Sequence, residues 1–148
     1  MLNEINPDFI RLRTLAVRSD MPLWSMVESG DFELQTDDEV VEEIGSLISE
    51  LQVTSELASD HIVNLLPEVE GKMPEDREKC LNIISDYLSL PDHARLNFRL
   101  GRRIGYYEKL SDLNNSYKHG KIDEAIKHIR SDGRNVDEVI TRLKDNFI

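Results

Sequence analysis

A single cysteine, Cys80, stands among 148 residues, so no disulfide can close within the chain, and such sparing thiol use fits a reducing compartment. No apolar run approaches the roughly 18–20 residues that cross a membrane. The opening stretch MLNEINPDFI lacks the basic-then-apolar pattern of a secretory signal, and the expected location is the cytoplasm. Basic side chains are in short supply. There are 18 Lys and Arg against 29 Asp and Glu, a net charge of -11, which argues against general nucleic-acid binding because phosphate contacts need cations. What the chain does have is 39% hydrophobic residues, enough for a core without a metal or disulfide staple. One domain over residues 1–148 is expected.

Helical signals recur along the chain. Asn6-Pro7 reads as a cap and first-turn proline ahead of Phe9, Ile10, Leu12 and Ala16-Val17. Pro22 opens a segment that Gly30 stops, with Trp24 expected in the core. Thr36 with Glu39 has capping-box spacing, followed by Val40, Ile44, Leu47, Ile48 and Leu51 at helical intervals. A further helix is predicted from Thr54 or Ser55 to Leu66, and another from Pro74 through Cys80, Ile84 and Tyr87. Pro91 ends that helix and opens the next, in which Gly101 and Gly105 signal a kink or an early end. Asn114-Asn115-Ser116 and Gly120 suggest a loop. Helices then carry Ile122 to Ile129 and, after the Asn135/Glu138 cap spacing, Val136 to Phe147.

No stretch alternates long enough to predict a strand. The expected fold is all-α, a compact bundle or a small stack of helical hairpins with seven or eight short helices. Gly120 to Ile126 is similar to the second-helix opening of a tetratricopeptide repeat. Lys109, Asp112, Leu113 and Ser116 occupy that repeat's aromatic and glycine positions, so a plain helix start is the better reading.

The charge is segregated. Residues 28–79 hold 16 acidic and 3 basic side chains, a balance of -13, whereas residues 93–134 hold 10 basic and 5 acidic, a balance of +5. Asp37, Asp38, Glu39, Glu42, Glu43 and Glu50 gather on one helix and form the candidate surface for a basic partner. Asp37 and Glu39 double as first-turn and capping residues. Arg95, Arg99, Arg102 and Arg103 share a helix face and form the alternative surface, for phosphate or RNA or for pairing with the acidic helices.

Motifs for catalysis are missing. His61, His93, His119 and His128 show no metal-ligand spacing among themselves, no phosphate-binding glycine loop occurs, and Cys80 lies on an apolar helix stripe. No enzymatic activity, metal or cofactor is expected. Small size, acidity and helicity together resemble bacterial immunity proteins. That resemblance implies an inhibitor that blocks a basic nuclease toxin through its acidic face. The alternatives are a nucleic-acid-binding or regulatory protein using the arginine-rich helix 95–103, a phage-type inhibitor that mimics DNA, or a generic adaptor.

Overall fold

The computed structural model describes residues 1–145. Its elements run α1 (Leu2–Ile5), β1 (Phe9–Arg11), α2 (Trp24–Ser29), α3 (Asp37–Glu50), β2 (Glu56–Ala58), β3 (Gly71–Lys72), α4 (Arg77–Leu88), α5 (Asp92–Arg103), a 3-10 turn (Leu110–Asn114), α6 (Ser116–Ser131) and α7 (Val136–Asp145). The chain is mainly helical but not all-α. A three-stranded sheet of order β1-β2-β3 pairs β1 with β2 in parallel and β2 with β3 antiparallel.

The sheet corrects two helix expectations. Ile10, Leu12 and Val17 are buried while Phe9, Arg11, Arg13 and Leu15 point outward, so the first stretch follows a two-residue period for as far as Leu15. The second is cleaner. Leu51, Val53, Ser55, Leu57 and Ser59 are buried, and Gln52, Thr54 and Glu56 between them are exposed. Serine at two inward positions disguises the alternation. Both hydroxyls are satisfied there, with Ser55 Oγ donating to Pro7 O and Ser59 Oγ donating to Leu66 O at 3.1 Å.

The helices follow their start and stop signals more faithfully. Thr36 and Glu39 form both halves of the capping box, and Gly30 ends α2 in a left-handed conformation at φ 79°. Pro91 caps α5, and Asn115 caps α6 by accepting from the amides of Tyr117 and Lys118. The expected loop around Gly120 is therefore helix, because Asn115 starts α6 earlier. Pro74 does not open α4. It lies in a tight turn, and Asp76 is the cap position before Arg77. Phe147 lies outside the described residues. Trp24 is only half-buried, on the wall of a cleft of about 500 Å³, and is not part of the core.

One apolar cluster runs from Ile10 and Leu57 of the sheet through Val41 and Ile48 of α3, Ile84 and Tyr87 of α4 and Phe98 of α5 to Ile122, Ile126 and Ile140. Each such side chain contributes roughly 1.5–3 kcal/mol when fully buried. Tyr87, Phe98 and Tyr107 form an aromatic line with centroid separations of 5.8 and 5.9 Å. Gly101 makes that line possible, since a Cβ there would sit 2.2 Å from Cδ2 of Tyr107. α4 packs on α3, placing Gly45 against Ile84, and α5 packs on α6 and α7. These contacts present the other side of α3 to solvent.

Candidate functional site

Asp37 was expected on a docking face, and burial corrects this. Its side chain is 3% exposed, with Arg103 Nη2 at 2.8 Å and Lys144 Nζ at 2.6 Å. Burial alone pushes the Asp37 carboxyl up, but the Arg103 and Lys144 cations outweigh it and hold the group below the ordinary carboxylate range. Asp38 is half-buried, accepts from the Tyr87 hydroxyl at 2.5 Å and faces Arg95 Nε at 3.4 Å. Burial first and Asp38 second push the Tyr87 phenol far above its usual range.

The remaining four carboxylates stay on the surface. Glu39 is exposed but accepts from the Thr36 amide at 2.8 Å, a bond that lowers its pKa. Glu42, Glu43 and Glu50 are exposed, and their carboxylates have no hydrogen bond or ion pair among the described residues. Glu43 and Glu50 lie on the side of α3 opposite Gly45 and α4, and Glu42 follows Asp38 by one turn on the flank nearer α4. The helix geometry explains the split: positions 37, 41 and 48 face the core, so 39, 42, 43 and 50 face out.

The basic surface is different in kind. Arg99 pairs with Asp137 at 2.9 Å, and Arg95 with Asp92 at 2.5 Å as well as with Asp38. Arg102 donates to the carbonyls of Leu65 at 3.1 Å and Tyr107 at 2.9 Å, and Arg103 to Val63 O at 2.8 Å. All four arginines of the 95–103 helix therefore hold the molecule together. Arg102 and Arg103 knit the irregular segment 61–69 to α5, which the sequence pattern did not reveal.

One constellation was missed. His93 Nε2 lies 3.1 Å from one oxygen of Asp123 and His119 Nδ1 lies 3.3 Å from the other. Asn97 Nδ2 donates to the same carboxylate at 2.7 Å, and the Tyr107 hydroxyl donates to Asn97 Oδ1 at 2.7 Å. Burial raises the Tyr107 phenol to about 12. The i,i+4 pair His119/Asp123 was visible in the sequence, but His93 arrives from α5, so spacing among histidines alone could not find it. The cluster clamps α5 to α6. Among the described residues no group of three or more His, Cys, Asp or Glu side chains is arranged to hold a metal ion. Cys80 is buried, and desolvation pushes its thiol up, away from the reactive thiolate.

A groove of about 700 Å³ runs between the segment from Phe9 to Leu15 and α3, where Val40, Glu43, Ile44 and Leu47 form its other wall. Phe9 is 72% exposed and Leu15 58% exposed at its margin. No helix among the described residues is long and apolar enough to cross a membrane. Comparison with protein-family models, with curated proteins and with solved structures returned no match for this chain.

Proposed function

We propose that this chain is a protein-binding module whose acidic α3 face captures a basic partner, in the manner of an immunity-type inhibitor that blocks a nuclease toxin in the cytoplasm. One observation carries this reading: internal pairing is one-sided. The basic helix directs its arginines to carbonyls and carboxylates of the same molecule, whereas Glu42, Glu43 and Glu50 are exposed and unpaired among the described residues. The negative field on that side is therefore not neutralised by ion pairs among the described residues, with Arg13 across the groove from Glu43 offsetting part of it, and it acts on whatever approaches. Phe9 and Leu15 beside the same helix offer apolar area for the energetic centre of an interface, which charge alone does not supply. The nucleic-acid reading is weaker for the same reason, since releasing Arg99 or Arg103 to phosphate would break internal pairs.

The test is affinity capture with the intact protein at about 50 and 200 mM salt, followed by a nuclease assay on what is captured. A basic nuclease whose activity falls on binding, and whose capture weakens when Glu42, Glu43 and Glu50 are changed to lysine, supports the reading. Undiminished capture of the same partner by that triple variant overturns it. So does tight RNA binding by the isolated protein at the higher salt.

A further inference from the structure

The two outer strands of the sheet treat their free edges differently. On β3, the outward N–H of Lys72 donates to the Asp76 carboxylate at 2.8 Å, and its outward C=O accepts from the Asp76 amide at 2.7 Å. That edge is closed by the chain's own turn. On β1, the Asp8 carbonyl and the Leu12 amide bond to β2, so the alternate residues Phe9 and Arg11 turn their N–H and C=O groups the other way. Those groups have no partner among the described residues. An open edge with unpaired backbone groups is a template for another strand, and proteins usually block such edges.

Space for that strand exists. The groove of about 700 Å³ lies along this same edge, with residues Phe9 to Leu15 on one wall and Val40, Glu43, Ile44 and Leu47 on the other. Its apolar walls suit alternate side chains of an extended segment, which point to opposite faces. The charge around it is mixed at the lining and negative beyond it. Glu43 lines the α3 wall and Glu39 and Glu50 continue along α3, while on the opposite wall Arg11 is paired with Asp60 at 3.2 Å and Arg13 is exposed with no ion pair among the described residues. A second copy of this chain carries the same net charge of -11 and would be repelled as a whole, whereas a segment that alternates apolar and basic residues would meet the carboxylates of α3 with opposite sign.

We propose that the partner protein adds an extended segment of alternating apolar and basic residues as a fourth strand on the open edge of β1, seated in the groove against α3. This rests on the reading above for the sign of the partner's charge, and the strand-addition geometry is tested separately from it.

The probe is a synthetic peptide alternating valine and lysine, with a valine–glutamate peptide as its counterpart, titrated against the full chain by amide NMR. The expected result is shifted and exchange-protected amides at Phe9 and Arg11, and binding at least about tenfold tighter for the lysine peptide. Arg11→Pro removes an outward N–H while proline is tolerated on an edge strand. Arg11→Ala controls for the lost side chain and its Asp60 pair. Arg11→Pro, folded by circular dichroism, should lose binding about tenfold or more while Arg11→Ala keeps it. Equal binding by both variants, or no shift at Phe9 and Arg11 at millimolar peptide, overturns strand addition whatever happens at α3. Equal binding of the two peptides overturns the basic character of the segment. Failure of the α3 function shows elsewhere, as unchanged capture of the natural partner by the triple lysine variant.

Discussion

Asp37 and Arg103 meet at 2.8 Å with side chains 3% and 2% exposed, joining the first turn of α3 to the last turn of α5. Both charges also have the sign their helix terminus favours. Removing one member leaves cations in a low-dielectric site, at a cost of about 3–5 kcal/mol. Asp37→Asn is therefore expected to lower the unfolding free energy from urea titration by an amount of that size. Replacing Asp37, Arg103 and Lys144 together by apolar residues should restore most of the loss. An unfolding free energy for Asp37→Asn within about 1 kcal/mol of the parent would show that the pair does not hold the helices.

Charge reversal on α3 should behave in the opposite way. Glu42, Glu43 and Glu50 are exposed and make no ion pair among the described residues, so lysine there should change stability by no more than about 0.5 kcal/mol. Association with a basic partner should slow by at least about tenfold at low salt and converge with the parent as salt rises. Stopped-flow association rates separate this from a folding defect. A rate that is unchanged at low salt would remove α3 from the interface.

Gly101→Ala tests the aromatic line. Alanine adds helix propensity of about 1 kcal/mol, but its Cβ would meet Tyr107 at 2.2 Å. Tyr107 is buried and its hydroxyl is committed to Asn97 at 2.7 Å, so the ring has little freedom to move. A net loss of about 1–3 kcal/mol in thermal or chemical denaturation is expected. A gain in stability would mean that Tyr107 repacks freely.

The pH profile has a sign at each end. Asp37 is held below its unfolded value near 3.9, so its stabilisation is complete above that value and is lost as pH falls through the folded one. Tyr107 is raised from 10 to about 12, so its contribution is complete below pH 10 and disappears as pH rises toward 12. Tyr87 acts in the same direction at still higher pH. A tyrosinate absorbance titration should show these two phenols ionising only as the fold is lost. Ionisation of all four tyrosines near pH 10 in a protein that is still folded would contradict the burial of Tyr87 and Tyr107.

The helices were legible in the sequence because their punctuation is local. Thr36 and Glu39, Gly30, Pro91 and Asn135 each act within four residues, and each sits at a helix end. The sheet was not legible because its pattern is carried by the wrong residue types. Ser55 and Ser59 point inward and Phe9 and Leu15 point outward, so a hydropathy count cannot recover the alternation. Asp37 shows the same limit within the acidic cluster. Its neighbours share its charge, and although helix spacing puts it in line with Val41 and Ile48, the cations that make its burial possible, Arg103 and Lys144, arrive from distant helices.

The parallel pairing of Phe9 with Glu56 sets an order on biosynthesis. β1 leaves the ribosome 47 residues before the strand it needs, a wait of roughly 2–10 s at ordinary translation rates of about 5–20 residues per second. During that interval Phe9, Ile10 and Leu12 have no sheet to join. The nascent chain is therefore expected to be most exposed to chaperones and to misassociation before Leu57 emerges.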